Sequence, residues 1–471
     1  MLSTIIGIMD AFALSRAALA ACLAGLVTGG CAVSAIESTP EDIPAPAAWS
    51  RGGESGAVSV DWLATFGDPK LEQLVSDALA RNFVLEQQRQ QLESVRQSVT
   101  IARSARLPSF ALSLDGSRRG AEDASGDSSI AESYDATLDG RFEVDVWGRL
   151  SSAQQSAEMQ LAAQVARLEA AERTLAGQTA AQYFDVLEAT QLLAVARRRL
   201  EVAIESQDIV ASGYRQGLNE ALDLYLARNV VERERANVAQ QEQARLEAIA
   251  ALQLSLARYP DGEFGETDEL PVPVDPIPVG LPSELLTRRP DVQEAWLTLL
   301  AADAQLAAAH KARFPSLSLV GSAGTTSVAF SDLVDAGATG WSLAFGLTQP
   351  LFQGGQLAAQ EAQARAQVRA TEQAWLDVVY TAFAEVENAI SRTTSLDAQY
   401  EAQLKAETNS RTALQIALDQ YQRGLVDYTT VLESQRQAFE AAATVVQLRN
   451  QRLQNRLALY IALGGNFETT T

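Results

Sequence analysis

The apolar positions of this chain keep two different periods, and each predicts a different element. From Leu161, alternating steps of four and three residues meet Leu161, Val165, Leu168, Glu172, Leu175, Thr179, Gln182, Val186, Ala189, Leu193, Ala196, Leu200, Ala203, Gln207, Val210 and Tyr214, most of them apolar. A stripe that returns every 3.5 residues is the seam of a coiled coil. The stretch from Gly148 to Gly213 is about 65 residues, a helix of roughly 100 Å at 1.5 Å per residue, too long for a compact domain. The other period is two. Phe110, Leu112 and Leu114 alternate with Ser109, Ala111, Ser113 and Asp115. Leu138, Phe142, Val144 and Val146 oppose Thr137, Asp139, Arg141, Glu143 and Asp145, and Trp341, Leu343, Phe345 and Leu347 oppose Ser342, Ala344, Gly346 and Thr348. Apolar on one face and polar on the other, over about ten residues, is the pattern of a membrane β-barrel strand, although a sandwich strand shares it.

These elements follow one order twice. Ala105-Arg106-Leu107-Pro108-Ser109-Phe110 recurs as Ala312-Arg313-Phe314-Pro315-Ser316-Leu317, and Tyr214-Arg215-Gln216-Gly217-Leu218 recurs as Tyr421-Gln422-Arg423-Gly424-Leu425. Both pairs are offset by 207 residues (315 − 108 and 424 − 217), which marks a duplicated structural unit. Each unit begins with a helix, Pro69 to Arg106 or Ser283 to Arg313, that ends where Pro108 or Pro315 cannot continue the hydrogen-bond ladder. A strand, a polar loop and a second strand follow. After Gly148 or Gly355 a long helix runs to the Tyr-x-x-Gly-Leu turn, where glycine suits a left-handed C-cap, and a second helix returns to about Tyr259 or about Leu463.

Four strands are too few to close a barrel, and an open sheet edge in lipid leaves backbone groups unsatisfied at high cost. The chain must then share a barrel with its copies. Two copies give about eight strands, whose interior side chains fill the lumen, and three give about twelve. A conduit requires the larger, so a homotrimer is expected.

The composition fits: of 471 residues, 47% are hydrophobic yet only 6% aromatic, which leaves mostly Ala and Leu. The formal net charge of -22 argues against nucleic acid, which needs clustered Lys and Arg. A solvated acidic surface accounts for the charge; a cation-favouring lumen is the sharper alternative. Arg16, the apolar run Ala17 to Val27 and Thr28-Gly29-Gly30 before Cys31 describe a secretory signal, too short to span a bilayer. Cys31 sits where a lipobox cysteine would be lipidated, with Cys22 as the alternative and Met9 as an alternative start to Met1. Residues after it, rich in Pro, Ser, Ala and Gly, read as an extended tether. With only these two cysteines and one histidine, His310, no cofactor, metal site or catalytic constellation is expected.

Trp62-Leu63-Ala64-Thr65-Phe66-Gly67-Asp68-Pro69, Phe142-Glu143-Val144-Asp145-Val146-Trp147-Gly148-Arg149, Gln349-Pro350-Leu351-Phe352-Gln353-Gly354-Gly355 and above all Gly280-Leu281-Pro282-Ser283-Glu284-Leu285-Leu286-Thr287-Arg288-Arg289-Pro290-Asp291-Val292 resemble the outer membrane efflux protein family of TolC/OprM-like outer membrane factors, in its lipoprotein branch. The resemblance covers almost the whole chain after the tether. It implies a mostly α fold with membrane β: a trimeric twelve-stranded β-barrel continued by a long α-helical coiled-coil barrel across the periplasm. The implied division is a signal at 1–30, an anchored tether at 31–60, a first repeat at 61–264, a Pro-rich equatorial linker at 265–282, a second repeat at 283–465 and a tail at 466–471. It further implies an outer-membrane location and a passive exit duct for drugs, metals or other small solutes. The partners would be a periplasmic adaptor and an inner-membrane resistance-nodulation-division (RND) pump. Tyr214, Gly217, Leu218, Gly424 and Leu425 would form the adaptor-docking tip, and Leu418, Asp419, Tyr421 and Arg423 the periplasmic aperture, with Asp419 in a three-fold ring. The exit duct of a type I protein-secretion system is the alternative.

Overall fold

The computed structural model describes residues 33–52, 62–122, 128–218, 220–265, 269–271, 277–333 and 339–465. The signal, Cys22, Cys31 and the tail lie outside them, as does part of the linker. In chain order the elements are α1 (Pro69–Arg81), α2 (Phe83–Ser104), β1 (Ser109–Glu122), β2 (Ser128–Val144), α3 (Arg149–Arg215), α4 (Ala221–Ser255), the short α5 (Leu285–Arg288), α6 (Pro290–Lys311), β3 (Ser316–Ser327), β4 (Thr339–Thr348), α7 (Gln356–Gln422) and α8 (Tyr428–Ala462). The duplication holds to the residue: α6, α7 and α8 begin and end one full repeat offset after α2, α3 and α4. The described residues fall into two compact units, one within Met1–Thr39, Glu93–Ala163 and Ala295–Trp375, the other within Pro40–Leu92, Gln164–Glu294 and Leu376–Thr471.

The first unit carries an antiparallel sheet in the order β1-β2-β3-β4. Its register puts Phe110 opposite Gly140, Leu112 opposite Leu138, Leu319 opposite Phe345 and Ala323 opposite Trp341. One face is therefore apolar across all four strands up to Leu114, with Arg118 and Glu132 farther along it, while Asp115, Asp135, Asp139 and Arg141 share the other with serines and threonines. The apolar face is open: Leu112, Trp341 and Phe345 are 72%, 80% and 81% exposed. Phe110 lies over Gly140, where a Cβ would come within 3.0 Å of its ring. β1 and β2 run beyond the sequence expectation of Ser109 to Asp115 and Thr137 to Val146, to Glu122 and back to Ser128, and β2 stops at Val144. Ladder pairing and the Arg118–Glu132 ion pair (3.3 Å) hold the extension where the alternation of side chains has faded.

Just past β2, Trp147 stacks on Phe314 (5.3 Å between centroids) and donates to the Pro315 carbonyl (2.7 Å). The Asp145 carboxylate accepts the Leu150 and Ser151 amides (2.9 and 2.7 Å) and so caps α3. His310 lies beside Glu361, which also binds Arg313 (2.7 Å) and Arg365 (3.1 Å).

In the second unit, Trp62 stacks on Tyr460 (6.1 Å), Phe66 meets Phe184 (5.3 Å), and Asp68 caps α1 through the Lys70 and Leu71 amides. The helix expected from Pro69 to Arg106 is broken at Asn82, whose side chain accepts the Val84 and Leu85 amides (2.9 and 3.1 Å) and starts α2 afresh. The helix expected from Ser283 to Arg313 is broken at Arg289, held extended by Pro290. Arg289 is nearly buried and pairs with Asp291 (2.6 Å), Glu385 (2.5 Å) and the Ala462 carbonyl (3.2 Å). Burial opposes ionisation of Asp291, yet Arg289 holds its carboxyl below the usual range. The Arg-Arg-Pro-Asp string is thus a structural knot.

The tether is not free in its described part, residues 33–52. Ser34 Oγ and the Ala35 amide bind Asp303 (2.9 and 3.0 Å), and the Glu37 and Ser38 amides bind the buried Glu372 (2.9 and 2.5 Å). In the second unit, Ser50 binds Glu387 and buried Trp49 donates to the Val279 carbonyl. Composition missed this because the amides find their acceptors on remote helices. A Glu372→Leu chain should therefore be cleaved at Glu37 and Glu41 at least about tenfold faster by a glutamyl endopeptidase, since a hydrogen bond to a charged group is worth roughly 1.5–3 kcal/mol. Glu372→Gln, which keeps an acceptor, should fall between.

Candidate functional site: the turns between the long helices

Two tight turns in the second unit join α3 to α4 and α7 to α8. The Leu218 amide donates to the Gly213 carbonyl (2.9 Å) and the Gly217 amide to Tyr214 (3.0 Å); Leu425 and Gly424 repeat the pattern on Gln420 and Tyr421 (both 2.9 Å). This is the Schellman cap, and it needs a left-handed residue. Gly217 and Gly424 supply φ of 72° and 73°. A Cβ at either would meet nothing within 4 Å. Glycine is required there by its dihedral alone, at about 1–2 kcal/mol for any other residue.

Beneath the turns, Val210, Leu224, Ala227, Ala417, Tyr428 and Val431 form one core that joins both hairpins. Of the four residues assigned to an aperture, Leu418 and Tyr421 pack against this core. The Tyr421 ring lies 5.4 Å from Tyr428, and its hydroxyl meets no hydrogen-bond partner among the described residues. Burial pushes the Tyr421 phenol up to about 12, with Asp223 and Tyr428 adding to the effect. Asp419 and Arg423 instead stay at the surface, paired at 2.9 Å one helical turn apart. The matching positions of the first copy hold Ser212 and Gln216, a neutral hydrogen-bonded pair at 3.1 Å. One copy presents charge where the other presents amide and hydroxyl.

Of the residues assigned to the docking tip, Leu218 is 76% and Leu425 68% exposed. Sequence reasoning missed Leu222 and Tyr225, which follow the first turn and are 62% and 66% exposed. They lie in the first two turns of α4, where apolar residues read as core. It also missed the acidic group Glu220, Asp223 and Asp427; Glu220 and Asp427 occupy the N-cap positions of α4 and α8, equivalent places in the two copies, without their side chains capping. Burial first, then Glu220 and Asp427, hold the Asp223 carboxyl above its ordinary range. A carboxyl raised in the folded state is destabilising while ionised, and the penalty fades as pH falls through its folded value. Asp223→Asn should therefore slow hydrogen exchange of the turn amides a few-fold at pH 7, and the difference should vanish near pH 4, about the ordinary aspartate value.

Among the described residues no helix is long and apolar enough to cross a membrane. The model of a family described as outer membrane efflux protein matches the chain twice, over residues 74–258 and 281–465, with the same offset as the repeated motifs. The chain is similar to the probable efflux pump outer membrane protein TtgC of Pseudomonas putida (28% identity, 97% of each chain) and to the cation efflux system protein CusC of Escherichia coli (30% identity over 86% of this chain and 88% of the relative). Among solved structures it is similar to the outer-membrane channel OprN (TM-score 0.85, 25% identity, 93% of this chain and 99% of that one). It is likewise similar to the open state of the Neisseria gonorrhoeae outer membrane channel MtrE (TM-score 0.81, 28% identity, 93% and 100%).

Proposed function

The chain belongs to the outer membrane efflux protein family, and from that premise we propose how its two units serve a trimeric exit duct. It is an outer-membrane efflux channel. The observation that carries the reading is the four-stranded sheet, apolar on one face from Phe110 to Leu114 and across to Trp341–Leu347, and unpaired, among the described residues, at the outer edges of β1 and β4. Three copies close the barrel at twelve strands, with the polar face lining a lumen. The lipid anchor is Cys31, or Cys22 in its place.

Transport through such a duct needs shape, lumen charge and a gate rather than a reacting group. The solute is a drug, a metal ion or another small molecule, delivered by an RND-type pump through a periplasmic adaptor. The relatives' names support small-solute efflux more than protein secretion. The turns are the periplasmic tip, and their exposed Leu218, Leu425, Leu222 and Tyr225 are the surface an adaptor covers.

In a strain deleted for this gene, the wild-type chain should restore resistance to the exported solute. Gly424→Val should restore little and lose crosslinking to the adaptor while the trimer still assembles; loss of the trimer itself would reduce Gly424 to a structural cap. Asp419 and its symmetry mates form the acidic ring of the aperture, restrained by Arg423. Single-channel recording of an Asp419→Ala trimer should show a changed conductance and lower cation selectivity, and an unchanged current would remove Asp419 from the gate.

A further inference from the structure

Because the unit is written twice, each copy shows what the other holds at the same place. In the second copy, Arg452 of α8 lies over the Tyr400 ring on α7 (4.5 Å to the centroid) and binds the Asp397 carboxylate (2.7 Å). Tyr400 is buried among Leu396, Val445 and Leu448. A guanidinium has a charge to pair and a flat face to cover, and these two side chains meet both needs.

One repeat offset earlier, between α3 and α4, the arginine is kept as Arg245 while its partners are not. Thr190 stands for Asp397, Leu193 for Tyr400 and Ala189 for Leu396. Arg245 meets a hydroxyl where Arg452 meets a carboxylate, its Nε donating to Thr190 (3.2 Å). Thr190, Leu193 and Arg245 line an open groove of about 730 Å³, within the roughly 300–1,000 Å³ that small-molecule sites span. Leu193 and Ala194 give the groove its apolar lining, and Arg197, Arg198 and Arg245 gather three cations there in a chain of formal net charge -22. Arg197 and Arg198 are paired already, with Glu242 (2.8 Å) and Glu201 (2.5 Å). Arg245, among the described residues, has no ion pair.

We propose that this groove is a binding site for a small aromatic carboxylate. The ligand's carboxylate sits on Arg245 and its ring covers Leu193 and the guanidinium, the arrangement that Asp397 and Tyr400 give Arg452. A ligand with no carboxylate would cover Arg245 without pairing it, and a buried unpaired charge is costly. A carboxylate with no ring would leave the apolar lining in water. The site stands on the comparison of the two copies and needs nothing from the transport reading.

The probe is 3-(4-hydroxyphenyl)propanoate, a phenol and a carboxylate on a two-carbon spacer. Equilibrium dialysis of the radiolabelled probe against the full-length chain in detergent should show one site per chain, with a Kd of about 1 mM or tighter. Arg245→Gln should weaken binding at least about tenfold, through the loss of a charge-assisted hydrogen bond and a ring contact. The corresponding amide, 3-(4-hydroxyphenyl)propanamide, should bind the parent chain at least about tenfold more weakly for the same reason. Thr190→Asp with Leu193→Tyr gives the first copy the side chains of the second and should abolish binding, while native mass and helical circular dichroism stay as in the parent. If Arg245→Gln fails to fold, the double variant and the amide decide. No binding to the parent chain at about 10 mM probe would overturn the proposal. So would equal binding by Arg245→Gln or of the amide, or undiminished binding by a folded double variant.

Discussion

A backbone amide or carbonyl in hydrocarbon has no water to turn to, and an unpaired one costs several kcal/mol. The sheet of this chain meets that constraint along β2 and β3, whose neighbours are on both sides, and among the described residues fails it along the outer edges of β1 and β4. The apolar face is continuous across four strands, so the sheet is built for lipid. The polar face carries Asp115 directly opposite Asp135, a like-charge pair that a dry interior would not tolerate and a hydrated lumen screens.

Much of this was legible in the sequence because periodicity and offset are global signals. The heptad seam gave the long helices, and two motifs sharing one offset gave a duplication that extends to the helix ends. The turns were legible too, since a left-handed C-cap all but names its residue. What was hidden depends on contacts made far along the chain. The break at Asn82 is a side chain that caps the next helix, and in a helical stretch of that polarity one asparagine carries no special mark. The docked residues after the signal look like a linker because amides, not apolar side chains, do the holding, on Asp303, Glu372 and Glu387. Within the candidate site, Leu418 and Tyr421 were assigned to an aperture, but they pack against the core beneath the turn, because the face of α7 they occupy depends on α4 and α8.

The ends of the returning helices show how the same geometry can ask for different residues. Both α4 and α8 close with a left-handed residue, Ala257 at φ 51° and Gly464 at φ 70°. The copy with alanine tolerates the strain, about 1–2 kcal/mol for an L residue. In the other copy a Cβ on Gly464 would lie 3.0 Å from the Arg288 backbone, and no such residue fits without displacement. Arg288 sits there because Pro290 and the buried Arg289 fix the chain just beyond it. A family-specific string of residues thus dictates a glycine at the far end of the second repeat.

The same comparison says where the copies were free to diverge. Arg199 and the buried Glu234 pair at 2.9 Å between α3 and α4, and the matching positions of α7 and α8 hold Ala406 and Ala441. Removing one member of such a pair strands a buried charge at about 3–5 kcal/mol, whereas replacing both with apolar residues can be neutral. The duplicate shows both solutions in one helical hairpin design, with both members changed together. Farther along, Tyr400 lies under Arg452 (4.5 Å to the ring), which also binds Asp397 (2.7 Å). The counterparts of Tyr400 and Asp397 are Leu193 and Thr190, and Arg245 donates to the threonine hydroxyl (3.2 Å) beside an open groove. Strand register, helix ends and turn glycines are held in common by the two copies. Charges and aromatic rings along the helices differ between the copies, and at the turns Asp419 and Arg423 on one hairpin stand against Ser212 and Gln216 on the other.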